Sequence, residues 1–215
     1  FIARDQLMNL TQALPSGLID SVENDYFSAS ANTARGPNGD LFGIPLFPDF
    51  PTMQYRKDLV EDAGYDPEGE GWATEGISWQ RFSEITKDVQ EQSGTQYGFS
   101  FQANVYEGLS CCDFNEFMTS WGGAYFGNPE EYLFGPVGDR PITVDEEPVL
   151  DAIRMIRTFI HGTDDEHALS GYSGGIAPEA VLQWTEESSR KPFTSGDVVM
   201  HRNWPYSINI NGADD

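Results

Sequence analysis

Three short stretches of this 215-residue chain carry side chains suited to holding a polar ligand. In Phe47-Pro48-Asp49-Phe50-Pro51 a carboxylate stands between two prolines and two phenylalanines. Proline fixes φ and donates no backbone hydrogen bond, so a central strand does not run through that point. In Asn104-Val105-Tyr106-Glu107-Gly108 an acid adjoins an aromatic in a turn after a strand, and in Arg202-Asn203-Trp204-Pro205-Tyr206 two donors precede two aromatics where a β-branched run ends. Carboxylates accept from pairs of hydroxyls, and the CH-rich faces of a sugar stack on rings. Acids beside planar aromatics at strand ends therefore suit a neutral sugar. Phe47, Phe50, Trp121, Tyr172 and Trp184 also fall at strand ends or in loops; each has the alternative of an ordinary core side chain, and Asp49 that of an acid in a surface loop.

Other chemistries lack their residues. There is no phosphate loop, no Gly-x-Ser-x-Gly elbow and no Cys/His pairing, which leaves nucleotide, acyl-transfer and thiol chemistry unsupported. His161, His167 and His201 lack the spacing of a helical metal pair, so neither metal nor cofactor is expected. Cys111 and Cys112 are adjacent; a bridge between neighbours closes a strained eight-membered ring, and the pair reads as two small buried apolar residues. The net charge of −23, from 35 acidic against 12 basic residues, repels nucleic acid and anionic membrane. Only Lys57, Lys87 and Lys191 are lysines, and the acids are interleaved with aromatics along the whole chain, a pattern that fits life at high salt. No apolar run approaches the roughly 20 residues needed to span a bilayer. The chain opens on Phe1 in mid-pattern, as a mature product or an excised piece would, and Asn9-Leu10-Thr11 is a glycosylation triplet of the kind found on external proteins.

The elements that must position these residues alternate as α/β. Helices are expected over 5–14, stopped by Pro15-Ser16-Gly17, and over 56–63, with Gly64 at the C-terminal cap. Further helices are expected over 79–92, capped by Ser78 and ended by Gly94, and over 113–121. Another runs from 145 or 146 to 160, with Val149, Ile153, Ile156 and Ile160 on one face, and helical pieces over 180–183 and 187–193 are interrupted or ended near Pro192. Strands are expected for the apolar run 41–47 after an Asn38-Gly39 turn, for 53–55, for 97–102 and for 197–201. The Gly-rich stretches 68–76 and 164–175 read as surface insertions.

The order LFGIPLFPDF, YRKDLVEDAGYDP, SWQRFSEITKDVQ, YGFSFQANVYEGL, SWGGAYF and FTSGDVVMHRNWPYSI resembles the extracellular solute-binding proteins of sugar ABC transporters, family 1, in their maltose/trehalose-type branch. The resemblance runs from Phe1 to about Ile210, and Tyr55–Leu59 with Ala63–Tyr65 is its most specific piece. It implies an α/β, periplasmic-binding-protein-like (type II) two-lobe fold, a mixed sheet flanked by helices with sugar trapped in the cleft. It implies that the chain is a fragment, haloarchaeal in origin, mostly the second lobe: 1–46 a remnant of the first lobe up to a hinge strand, 47–215 the second lobe, stopping before the return crossing. Asp49 falls where relatives place a cleft acid, Trp204 and Tyr206 where they stack an aromatic on the sugar, Tyr106 and Glu107 in a cleft-facing loop, and Asp5 or Arg4 in a cleft loop of the first lobe. Phe47 and Trp121 complete the expected ligand set from the aromatic group above. The resemblance also implies binding without catalysis, permease and ATPase partners, no nucleic acid, and an extracellular, surface-anchored location. Two other readings stay open: a glycoside hydrolase with paired carboxylates such as Asp49 and Glu107, and a sensor or adhesin on the same fold.

Overall fold

A computed structural model describes residues 1–46, 49–132 and 137–212. Two compact units emerge, Phe1–Asp49 with Tyr132–Arg140, and Phe50–Glu131 with Pro141–Asp215. The division falls at 49/50, where the sequence reading places it at 46/47, and that reading does not anticipate the grouping of Tyr132–Arg140 with the first unit.

The first unit is built from short helices: a 3-10 turn at Ile2–Arg4, then α1 (Leu10–Ala13), α2 (Ser16–Asp25) and α3 (Ser28–Asn32). The helix expected over 5–14 contracts to its last turn, because Asn9 caps it there, its side chain accepting from the Gln12 amide at 3.2 Å. Pro15 stops α1 as expected, yet it also opens α2; the missing N–H of a proline costs nothing where a helix begins. Ile19 and Val22 of α2 close a small core with Ala31 and Leu41. The glycosylation triplet is woven into this unit, Asn9 donating to Asp40 Oδ2 at 2.8 Å and Thr11 Oγ1 accepting from the Leu41 amide at 2.8 Å. Gly39 takes φ 85° in the expected turn, and Arg35 bridges Leu41 antiparallel. The apolar strand expected beyond it does not form: residues 42–46 have no ladder partner among the described residues, and Ile44 and Leu46 are exposed.

The second unit follows the order β1 (Thr52–Tyr55), α4 (Lys57–Asp62), α5 (Trp79–Ser93), β2 (Tyr97–Ser100), a π turn (Gly108–Asp113) continuing into α6 (Phe114–Ser120), and α7 (Pro129–Tyr132). It continues with α8 (Glu147–His161), a 3-10 turn (Glu179–Gln183), α9 (Glu186–Thr194), β3 (Val198–Asn203) and α10 (Tyr206–Asn211). The sheet is mixed, in the order β1-β3-β2. β1 runs antiparallel to β3 with Tyr55 opposite Met200, and β2 runs parallel to it with Phe99 opposite Met200. The outer edge of β2 is covered, since the amides of Gly98 and Phe99 both donate to Ile176 O and that of Ala103 to Val181 O.

One face of the sheet is apolar. Phe99 packs on Phe82 of α5 and on Phe101, each at 5.0 Å between ring centroids, and Phe101 meets Phe117 of α6 at 5.6 Å. α5 forms as expected: Ser78 accepts from the Arg81 amide, Phe82, Ile85 and Val89 are buried, and Gly94 closes the helix at φ 71°, a conformation that favours glycine. α8 buries Val149 and Ile160 and half-buries Ile156 as expected, but Ile153 is 38% exposed and Ala152, Met155 and Phe159 complete the inward face, because Phe159 docks on Phe82 and Phe99 and sets the helix's roll. The two Gly-rich stretches lie at the surface as expected, but each turns one ring onto the core: Trp72 sits tilted beside Tyr55 at 5.6 Å, and Tyr172 beside Trp121 and Phe159. α9 runs through Pro192 to Thr194. Cys111 is exposed and Cys112 half-buried, both free; the π turn carries them around the outside of the helix, so the buried pair expected from sequence is not found.

The other face is polar and just as closed. Asn203 donates through Nδ2 to Glu186 O at 3.0 Å and to His201 Nε2 at 2.9 Å, which assigns the His201 proton to Nδ1, 2.7 Å from Ser100 Oγ. Gln54 links β1 to α10 through Ser207 and Asn211. Back on the face of Met200, near the end of β3, Asp113 is 1% exposed; its Oδ1 accepts from the Gln102 amide and its Oδ2 lies 3.3 Å from Arg202 Nη1.

Phe82→Ala empties a ring-lined site and is expected to lower stability by roughly 3–5 kcal/mol, read as a drop in urea midpoint with unchanged slope. Burial also shifts two titrations in opposite senses, holding His201 down to about 4 from 6.5 and pushing the Asp113 carboxyl up to about 7 from 3.8. His201 withholds a proton that the unfolded chain takes up, so its contribution is complete above pH 6.5 and is lost as pH falls toward about 4. Asp113 keeps a proton that the unfolded chain releases, so its contribution is complete below pH 3.8 and is lost as pH rises toward about 7. Asp113→Asn removes only the second. Against wild type it should lose stability as pH falls from neutral toward 4, by up to about 1.4 kcal/mol per pH unit in urea denaturation. A difference that does not vary with pH contradicts this.

Candidate functional site

Open α/β sheets bind ligands beyond the carboxyl ends of their strands. β2 and β3 are parallel, so the segments that follow them, 101–107 and 204–206, leave the sheet at the same end. The topology thus brings two of the three sequence motifs together. α9 starts at that end as well, its first turn held by reciprocal bonds between Thr185 and Ser188, which places Glu186 and Glu187 at the positive end of the helix dipole.

Each aromatic of the pair Tyr106 and Tyr206 is tied to one of these acids. Tyr106 Oη donates to Glu186 Oε1 at 2.9 Å, and Tyr206 Oη donates to Glu187 Oε1 at 2.8 Å. Burial, reinforced by the neighbouring carboxylate, pushes the Tyr206 phenol up to about 12 and raises that of Tyr106 as well. Both phenols therefore stay protonated donors in neutral water; Glu187 Oε2 accepts from Arg190 Nη2 at 2.7 Å, which leaves Glu186 Oε2 as the carboxylate oxygen turned to other donors. Arg190 holds the Glu187 carboxyl below its ordinary range. Tyr106 lies directly over Gly108: a Cβ there would come within 2.3 Å of its ring and hydroxyl, so only glycine admits the ring in this position.

Trp204 is half-exposed, with its amide donating to Asn203 Oδ1 at 2.8 Å and its carbonyl accepting from Ser207. Glu107 is exposed at the start of the π turn. Trp121 does not join the cluster: its ring packs on the core, with Nε1 3.4 Å from Met155 Sδ. Asp5 and Asp49 are exposed residues of the first unit, Asp5 in a left-handed conformation at φ 49°. Phe47 lies outside the described residues. Glu186 and Glu187 escape sequence reading; the Thr185…Ser188 spacing is the local signal that places them at a helix start, but their tyrosine partners are 80 and 19 residues away.

A second concavity, of about 490 Å³, opens beside β1 and is walled by Met53, Tyr55, Trp72, Trp79, Phe82 and Met200. Its one acid, Glu68, is engaged through Oε1 by Lys57 Nζ at 2.6 Å. Among the described residues no group of three or more His, Cys, Asp or Glu is placed to hold a metal ion.

No protein-family model matches the chain. A Deinococcus radiodurans protein named "Probable ABC transporter-binding protein" is 27% identical over 201 residues, 94% of this chain and 40% of the relative. A "Lactose-binding protein" of Rhizobium radiobacter is 28% identical over 79 residues, 37% of this chain and 18% of the relative. Among solved structures, maltose-bound T. maritima MalE3 superposes with a TM-score of 0.68 at 26% identity, over 97% of this chain and 44% of that one. The sugar-binding protein MalE of Xanthomonas citri gives 0.64 at 16%, over 98% and 45%. The chain thus spans less than half the length of these relatives. Its fold is α/β of the periplasmic-binding-protein-like, type II class.

Proposed function

We propose that this chain is part of the substrate-binding component of an ABC transporter for neutral sugars, an oligosaccharide or a disaccharide of the maltose or trehalose kind. The observation that carries this reading is the cluster at the carboxyl ends of β2 and β3, where Trp204, Tyr106 and Tyr206 stand with Glu186 and Glu187. Rings supply stacking faces and carboxylates accept from hydroxyls, with no charge on the ligand required. The similarity to a transporter-binding protein and to a maltose-bound structure supports the same reading. Within it, residues 1–46 belong to a first lobe and 47–215 to most of the second, in a longer polypeptide. The partners are a permease and an ATPase, and the location is outside the cell, anchored at its surface. The acid excess is an adaptation to high salt, as in a haloarchaeal source. Among the described residues no helix is long and apolar enough to cross a membrane.

Binding without turnover agrees with the carboxylates of the cluster. Glu186 and Glu187 are committed to tyrosines, and Asp113, the acid whose proton is held near neutral pH, is too buried to meet a substrate. Calorimetry on the full-length protein in high salt, against a panel of neutral mono- and disaccharides, is the test. At least one sugar should bind, with no product released; silence across the panel, or release of reducing sugar, ends the proposal. Trp204→Ala and Tyr206→Ala should each weaken that affinity by about 1–3 kcal/mol. Asp49→Ala should weaken it by about 1–3 kcal/mol as a lost acid–hydroxyl contact.

A further inference from the structure

Arg202 is the last but one residue of β3 and is only 4% exposed. Its donors are spent inside the protein. Nε donates to Glu116 Oε2 at 2.9 Å and Nη2 donates to the other oxygen of the same carboxylate. Nη1 donates to Gln102 Oε1 at 2.7 Å and faces Asp113 Oδ2 at 3.3 Å. A forked carboxylate contact fixes the plane of a guanidinium as well as its place. That plane lies against Trp204, with Cζ 4.3 Å from the ring centroid, well inside the range of a cation–π contact. The backbone of Trp204 is already pinned by Asn203 and Ser207, so the freedom left to the residue is the rotation of its ring. Arg202 is placed to remove that freedom.

We propose that Arg202 is the positioning residue of the sugar site: clamped by Glu116 of α6, it holds the indole of Trp204 in the orientation that stacks on the ligand, without touching the ligand itself. This rests on the reading of Trp204 as a sugar platform. It separates two roles that look alike in the sequence, where Arg202 and Asn203 stand as apparent ligand donors beside the ring. Holding a ring in its bound rotamer before the ligand arrives raises affinity by sparing the cost of ordering it on binding.

The test is a double-mutant cycle on the full-length protein, titrated with the sugar that gives the largest heat. Arg202→Met should weaken binding on the order of tenfold, the upper range of a desolvated cation–π contact. Arg202→Lys, which keeps the charge but loses the planar fork, should give a smaller loss. In a Trp204→Ala background either change at 202 should cost nothing further, because no ring remains to be held. Circular dichroism checks that each variant folds; should Arg202→Met leave Glu116 and Asp113 too poorly paired to fold, the Arg202→Lys arm of the cycle carries the test. Equal losses with and without the Trp204 ring show a merely structural role and overturn the proposal, as does unchanged affinity in the variants at 202. If Trp204→Ala alone leaves affinity intact, the platform reading falls and the proposal with it. That outcome is distinct from an additive cycle, which removes the positioning role and leaves the platform standing.

Discussion

β3 is buried along all six residues, paired on both edges and covered on both faces, and most of the second unit is arranged around that condition. A polar side chain on such a strand has no water to turn to, and leaving it unpaired costs more than its hydrogen bond returns. Yet its last three residues are His201, Arg202 and Asn203. The neighbouring elements are accordingly supplied with partners at matching positions: Ser100 on β2, Gln102 just after it, Glu116 on α6, and the Glu186 carbonyl at the start of α9. These bonds set the register of the sheet more narrowly than apolar packing could, since sliding β3 by one residue would leave every one of them unmade.

The candidate site is the outward continuation of this closed polar layer. Within four residues the chain passes from Asn203, with both amide hydrogens and its oxygen engaged, to Tyr206, whose ring meets solvent. The apolar face contributes differently, anchoring α5, α6 and α8 through interlocked phenylalanines so that Glu116 arrives beside Arg202 on a rigid helix. The acid-rich exterior is separate from both. Its arginines are mostly absorbed in surface pairs of small energetic weight, such as Arg154 with Glu147 and Asp151.

Sequence reading recovers what local rules decide. Ser78 and Gly94 bracket α5 because a cap and a left-handed stop are properties of one residue, and Asn38-Gly39 marks its turn for the same reason. β3 and the exposed rings after it are legible from a β-branched run ending on Trp-Pro-Tyr. What escapes depends on distant partners. The roll of α8 is set by Phe159 meeting Phe82 and Phe99, which no count of isoleucines reveals. Pro15 shows that one residue can both end and begin a helix, and the Gly-rich stretches hide Trp72 and Tyr172, whose burial depends on rings elsewhere in the chain. In the site, Tyr106 and Tyr206 stand out by type, while Glu186, Glu187 and Glu116 are three among 35 acids until the fold shows what they hold.

The boundary between Asn203 and Trp204 also divides what selection can change cheaply from what it cannot. Up to Asn203, each side chain of the strand is answered by a partner on another element, and an exchange there must be matched by a second exchange far away in the chain. At Trp204 and Tyr206 the rings reach solvent, each held from one side, by Arg202 and by Glu187, before Ser207 turns back into the protein. Diversification of ligand preference on this scaffold should therefore concentrate in positions 204–206 and 104–107, with the strand beneath them inherited nearly unaltered. A library built to retarget the protein would gain most by randomising those two loops together and leaving 198–203 untouched.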